Sequence, residues 1–203
     1  MLSGVILAGG PSRRMQSVEK GLLPINQENL VQRQIRLMKE VCSEIILVTN
    51  SPRKYLPVLG SSVRIITDYI SGNGPLCGMH AAFSLCKNDL LWVVGCDMPF
   101  ISPKAVQVML EKHRTNLWDA IIPFIHNKYH MLHGIYRKQV LRSISSCIEQ
   151  EEYDCEQLLR LLHIRSIDES SFLAEGVDNS FVESINTKED YIRITDMLQS
   201  VPH

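Results

Sequence analysis

Residues 5–25 read VILAGGPSRRMQSVEKGLLPI, an apolar run that breaks into two glycines, a proline, two arginines and, further on, a lysine. The apolar residues 4–8, bounded by glycine, suit a strand buried on both faces. The turn after them has two readings. It is either a tight entry to a solvated loop, or a cradle in which backbone N–H groups face phosphate oxygens while Arg13, Arg14 and Lys20 supply positive charge. Neither G-x-x-x-x-G-K-[ST] nor G-x-G-x-x-G is present, which disfavours an ATPase loop and a dinucleotide fold.

Outward from this loop the chain alternates. Asn29 and Gln32 have the spacing of a capping box, and Val31, Ile35, Met38 and Val41 follow at helical intervals. Buried strands are expected at 44–49, 63–67 and 90–95, and helical segments at 54–59, at 76–85 with Pro75 in the first turn, and from Ser102-Pro103 onward. That order predicts an α/β fold, a three-layer αβα arrangement around a mostly parallel, doubly wound, Rossmann-like sheet. Beyond Asp119 the rhythm changes. Strands at 120–124 and 129–136 joined by the turn His126-Asn127-Lys128, helices at 139–149 and 154–162, and a last helix at 187–198 with Thr187 as N-cap and Asp190 completing a box are expected.

At 203 residues the chain suits one domain, 1–203. Its 45% hydrophobic and 21% charged residues are near the globular average. With 21 Lys and Arg against 22 Asp and Glu, no global field draws it to nucleic acid or to an anionic membrane, so any anion site is local. Six scattered cysteines without a C-x-x-C pair suggest buried thiols, and no apolar run approaches the roughly 20 residues that span a bilayer, so a soluble cytoplasmic protein is expected.

In open parallel sheets ligands bind beyond the carboxyl ends of the strands, which singles out the loop from Gly9, then Asn50, Asp68 and Asp97. A carboxylate directly after an apolar strand, as at Asp97, suits Mg²⁺ on substrate phosphates, and Asp68 could accept hydrogen bonds from a sugar or a base. Gly72-Asn73-Gly74-Pro75-Leu76-Cys77-Gly78 has the spacing of a phosphate loop, but a helix beginning at Pro75 needs flexible entry residues in any case, and that plainer reading is preferred. His126, His130 and His133 do not form a metal set, because alternation along one strand would put His133 on the opposite face. Cys96, in an apolar run without a histidine partner, is not read as a catalytic thiol.

Leu7-Ala8-Gly9-Gly10, then Arg14-Met15, Glu19-Lys20-Gly21-Leu22-Leu23, Asn50, Asp68, Gly74-Pro75-Leu76-Cys77-Gly78 and Cys96-Asp97-Met98-Pro99 resemble, in order, the signature of the molybdenum cofactor guanylyltransferases of the NTP-transferase family. The resemblance implies a sheet of the nucleotide-diphospho-sugar transferase type, with a nucleotide-binding half at about 1–118 and an acceptor half at about 119–203. It implies transfer of GMP from GTP to the terminal phosphate of molybdopterin, with pyrophosphate released. Leu7, Ala8, Gly9 and Gly10 would line the nucleotide, Lys20 and Arg14 would meet its phosphates, Asn50 and Asp68 its base or sugar, and Asp97 would hold Mg²⁺. Gly78 and Asn186 would face the acceptor, and the product would pass to molybdoenzymes or their chaperones. The sequence departs from the family at Gln16, Met131, Tyr153-Asp154 and Ser184. A relative using CTP or another phosphorylated acceptor, or a noncatalytic nucleotide-binding protein, is the alternative.

Overall fold

The computed structural model describes residues 1–9, 19–60, 63–70, 74–113 and 117–199. The chain runs β1 (Leu2–Leu7), a hairpin of β2 (Pro24–Ile25) and β3 (Glu28–Asn29), α1 (Leu30–Met38), β4 (Glu44–Val48), α2 (Pro52–Leu59) and β5 (Arg64–Ile66). It continues through α3 (Pro75–Leu85), β6 (Leu90–Gly95), α4 (Pro103–His113), β7 (Ala120–Ile125), β8 (Lys128–Tyr129) and β9 (Gly134–Arg137). The last elements are α5 (Leu141–Glu149), α6 (Cys155–Leu161), β10 (Ile164–Asp168), α7 (Glu169–Ala174) and α8 (Lys188–Gln199). Pro52, Pro75 and Pro103 open α2, α3 and α4, where a missing N–H leaves no bond unmade.

The sheet has the order β10-β7-β9-β6-β1-β4-β5, with β8 added to β7. β1 pairs in parallel with both β4 and β6, and β10 with β7, while β9 lies antiparallel between β6 and β7. Successive strand residues face opposite sides. Ile6, Leu47 and Trp92 pack with Val31, Ile35, Met38, Val106, Met109 and Phe172, so α1, α4 and α7 cover one face. Val5, Ile46 and Val93 pack with Met79, Phe83, Ile144 and Leu158, so α3, α5 and α6 cover the other. This is the expected three-layer, mostly parallel arrangement. From β1 the chain moves outward through β4 to β5, then crosses back by way of α3 to β6 on the other side of β1. The direction of winding therefore reverses between β1 and β6, and their carboxyl ends form the switch point at whose crevice open α/β sheets bind ligands.

The capping boxes form. The Asn29 N–H donates to Gln32 Oε1 at 2.9 Å, and at α8 the Asp190 N–H donates to Thr187 Oγ1 at 3.1 Å while Thr187 N–H donates to Asp190 Oδ2 at 2.9 Å. The strand expected at 129–136 is corrected. It is two short strands, β8 and β9, because a turn intervenes in which Gly134 N–H meets Met131 O at 3.2 Å and His133 takes φ 101°. The turn before it is the tight pair His126 and Asn127, both at positive φ (51° and 61°), with Lys128 already in β8. β10, α7 and the β2–β3 hairpin come from stretches to which the sequence pattern assigned no element.

Candidate functional site

Asp97 follows β6 by two residues, and Lys20 opens a short 3₁₀ turn at Lys20–Leu22. Lys20 Nζ lies 2.9 Å from Asp97 Oδ2, with side-chain exposures of 17% and 23%, so the pair sits at the protein surface rather than in the core. The same ammonium donates to Asn186 Oδ1 at 3.0 Å, and Asn186 Nδ2 donates to Ser184 Oγ at 2.8 Å. Ile185 N–H donates to Asp97 O at 2.8 Å, which brings the segment before α8 against the end of β6. Three remote parts of the chain thus meet at the β1/β6 crevice. A Cβ on Gly95 would stand 2.7 Å from Asp97 Oδ1, so only glycine leaves this carboxylate its position.

The turn bearing Asp97 is tied down from below. Gln34, wholly buried on α1, donates from Nε2 to Gly95 O at 2.8 Å and to Met98 O at 2.9 Å, and Arg33 Nε donates to Pro99 O at 2.9 Å. Glu19, beside Lys20, is paired with Lys54 at 2.9 Å.

Along the same edge, Leu7 is half-buried, Ala8 buried and Gly9 exposed, and Ala8 N–H is held by Val48 O at 2.8 Å. Asn50 is exposed after β4. Asp68, after β5, is nearly buried; its Oδ1 accepts from Ile70 N–H at 2.9 Å. Burial raises its carboxyl above the ordinary carboxylate range, and the Ile70 hydrogen bond opposes that rise. Gly78 is buried in α3, where a Cβ would meet Leu7 Cδ2 at 3.1 Å, so its bare backbone serves the close packing of α3 on β1. Gly10, Arg13, Arg14 and Gln16 lie outside the described residues, as do Gly72 and Asn73.

The histidines separate. His133 is wholly buried between Trp92 and Phe181, and its Nε2 accepts from Ser102 N–H at 3.1 Å; burial lowers its pKa to about 3. His126 Nδ1 pairs with Glu169 at 3.2 Å, and His130 Nε2 meets Ile125 O at 3.2 Å. Among the described residues no group of three or more His, Cys, Asp or Glu side chains could hold a metal ion. Burial pushes the Cys96 thiol up to about 12, with Asp97 adding to the rise, the reverse of what an activated thiol requires.

The MobA-like NTP transferase domain family matches residues 4–167. A protein of Pelotomaculum thermopropionicum named "Probable molybdenum cofactor guanylyltransferase" is 30% identical over 98% of this chain and 94% of its own. The chain belongs to the MobA-like NTP transferases. The molybdenum cofactor guanylyltransferase of Desulfosudis oleivorans is 26% identical, covering 93% of this chain and 92% of its own. The fold is shared with the crystal structure of molybdopterin-guanine dinucleotide biosynthesis protein A from Archaeoglobus fulgidus, at TM-score 0.82, 20% identity and coverage of 98% and 100%.

Several positions read from sequence as departures from the family signature have local uses. Met131 is buried and its carbonyl accepts the Tyr136 hydroxyl at 2.7 Å; Asp154 caps α6 through Glu156 N–H at 3.0 Å; Ser184 orients Asn186. Sequence reading missed Gln34 and Arg33. The signal for Gln34 was available, since it is the polar member of the apolar face formed by Val31, Ile35 and Met38. Among the described residues no helix is long and apolar enough to cross a membrane.

Proposed function

We propose that this protein transfers GMP from GTP to the terminal phosphate of molybdopterin, forming the guanine dinucleotide cofactor and releasing pyrophosphate. The observation that carries the reading is the convergence of Lys20, Asp97 and Asn186, within 3.0 Å of one ammonium, at the crevice where the sheet's winding reverses. The names of the full-length relatives support the choice of GTP and molybdopterin over CTP or another acceptor.

In this reading a phosphate oxygen of the acceptor attacks the α-phosphorus of GTP in line, and the bond to the bridging oxygen of pyrophosphate breaks. The nucleophile is already ionised, so no strong base is needed, and catalysis is positioning and neutralisation of charge. Lys20 meets the negative charge that grows on the leaving pyrophosphate. The backbone at Leu7, Ala8 and Gly9 lines the nucleotide, and Arg14 adds charge to the phosphates. Asn50 and Asp68 face base or sugar, and Asn186, beside Lys20, faces the acceptor.

The donor set suits Mg²⁺. Asp97 is partly exposed and gives only Oδ2 to Lys20, and Mg²⁺ on phosphates commonly takes one or two carboxylates and keeps several waters. Bound at Asp97, Mg²⁺ would supply charge neutralisation at the phosphate oxygens. The same proposal puts the reaction in the cytoplasm and hands the product to molybdoenzymes or their chaperones.

Pyrophosphate release, followed with each of the four ribonucleoside triphosphates and with molybdopterin present or absent, tests the reading. Release with GTP that requires molybdopterin is expected. Release with CTP alone, or none with any acceptor while nucleotide still binds, would replace it by one of the alternatives.

A further inference from the structure

We propose that Gln34 is a positioning residue for the metal site, acting through the turn that carries Asp97; the inference rests on the nucleotidyl-transfer reading above. Gln34 Nε2 donates to the carbonyls of Gly95 and Met98, at 2.8 and 2.9 Å, and these two residues bracket Asp97. The amide's orientation is fixed by chemistry, because a flipped side chain would aim its oxygen at two carbonyl oxygens. Among the described residues Gln34 Oε1 has no hydrogen-bond partner, so the side chain is held there by its donor half alone. A buried polar group with one half unpaired carries a desolvation cost that an apolar residue on this face would not.

The turn also closes on itself, with Met98 N–H donating to Gly95 O at 3.3 Å, and it is tied at further points. Cys96 N–H is held by Leu7 O at 3.0 Å, Asp97 O by Ile185 N–H at 2.8 Å, and Pro99 O by Arg33 at 2.9 Å. Gln34 adds side-chain ties to Gly95 O and Met98 O, and so helps fix the direction in which the Asp97 side chain leaves the backbone. Groups that orient a metal-binding carboxylate in this way set metal affinity, and their loss typically costs about 10- to 100-fold.

The test uses Gln34→Met, which fills the same slot without donors, and Mn²⁺ binding in the presence of GTP read by electron paramagnetic resonance. Mn²⁺ affinity is expected to fall about tenfold and kcat to fall in parallel, with KM for GTP within about twofold of wild type. Phe172→Ala, in the core beneath the same face, should lower thermal stability and leave Mn²⁺ affinity unchanged. Mn²⁺ affinity within about twofold of wild type in Gln34→Met, whatever its stability, would reduce Gln34 to a core hydrogen bond and overturn the proposal. Should Gln34→Met not fold, Gln34→Asn carries the test, since its shorter arm cannot span both carbonyls; the same affinity criterion applies to it. Wild-type protein that binds no Mn²⁺ with GTP would overturn both this inference and the transfer reading. Wild-type binding with unaltered variants would overturn this inference alone.

Discussion

The two sides of the sheet deliver their residues differently. On the side built from β5, β4, β1 and β6 every strand runs the same way, so the residue after each strand arrives at one edge: Gly9, Asn50, Asp68 and Asp97. On the side built from β9, β7 and β10, β7 and β10 keep that direction but β9 is wedged antiparallel between β6 and β7. His126 and Glu169, at the carboxyl ends of β7 and β10, therefore stand at least two strands, roughly 10 Å, from the β6 edge. Among the described residues the second half reaches Lys20 through Asn186, carried on a loop before α8. A parallel sheet makes its site by strand register, and the inverted strand makes the other half contribute by a tether.

Breaking the register side should have the largest effect. Asp97→Ala is expected to lower turnover by about 10³-fold or more while leaving the fold intact, since the carboxylate serves the ligand rather than the core. Near-normal turnover, with matching circular dichroism and melting temperature, would remove Asp97 from the chemistry. Lys20→Ala should follow at about 10²-fold in kcat/KM, because a positive charge beside the transferred phosphates is lost. A steady-state assay in which the variant matches wild type would leave the Lys20–Asp97 pair with a structural role only.

The tethered side is probed through stability. His133 is neutral in the fold down to about pH 3 but takes up a proton near its ordinary 6.5 once unfolded. The unfolded chain binds the extra proton in that window, so stability falls as pH drops from about 6.5 toward 3. Between pH 7 and 5 the loss should be about 2 kcal/mol, and His133→Gln should flatten that slope in denaturant titrations. An unchanged slope would mean that His133 is protonated inside the fold. Thr187→Ala, which removes half of the capping box at α8, should cost about 1 kcal/mol and lower the melting temperature by roughly 2 to 4 °C. No change on calorimetry would show that the tether holding Asn186 does not depend on that cap.

The same contrast governs what could be read from sequence. β6 was legible to the residue because LLWVVG is apolar throughout, as a strand covered on both faces must be, and the charged Asp97 comes two residues after it. β10, IRSID, has only two apolar residues because it is an edge strand with one neighbour, and nothing in its pattern separates it from a loop. The interruption before β9 was hidden for another reason. Residues 129–136 keep a strand-like composition, and the positive φ falls on His133, not on a glycine that would have marked it. The placement of Asn50, Asp68 and Asp97 just after strands was legible. The bond from Lys20 to Asn186 spans 166 positions and left no local signal.

The most direct test of the central claim, that the parallel edge is a GTP site organised around Asp97, is thermal unfolding with each of the four ribonucleoside triphosphates and Mg²⁺, in wild type and Asp97→Ala. At about 100 times its dissociation constant a ligand adds roughly 2.7 kcal/mol, a shift of roughly 5 to 11 °C for a chain of this size. A GTP site at this edge predicts a shift selective for GTP that Asp97→Ala abolishes or sharply reduces. An equal shift with all four nucleotides, or a GTP shift that survives in Asp97→Ala, would contradict it.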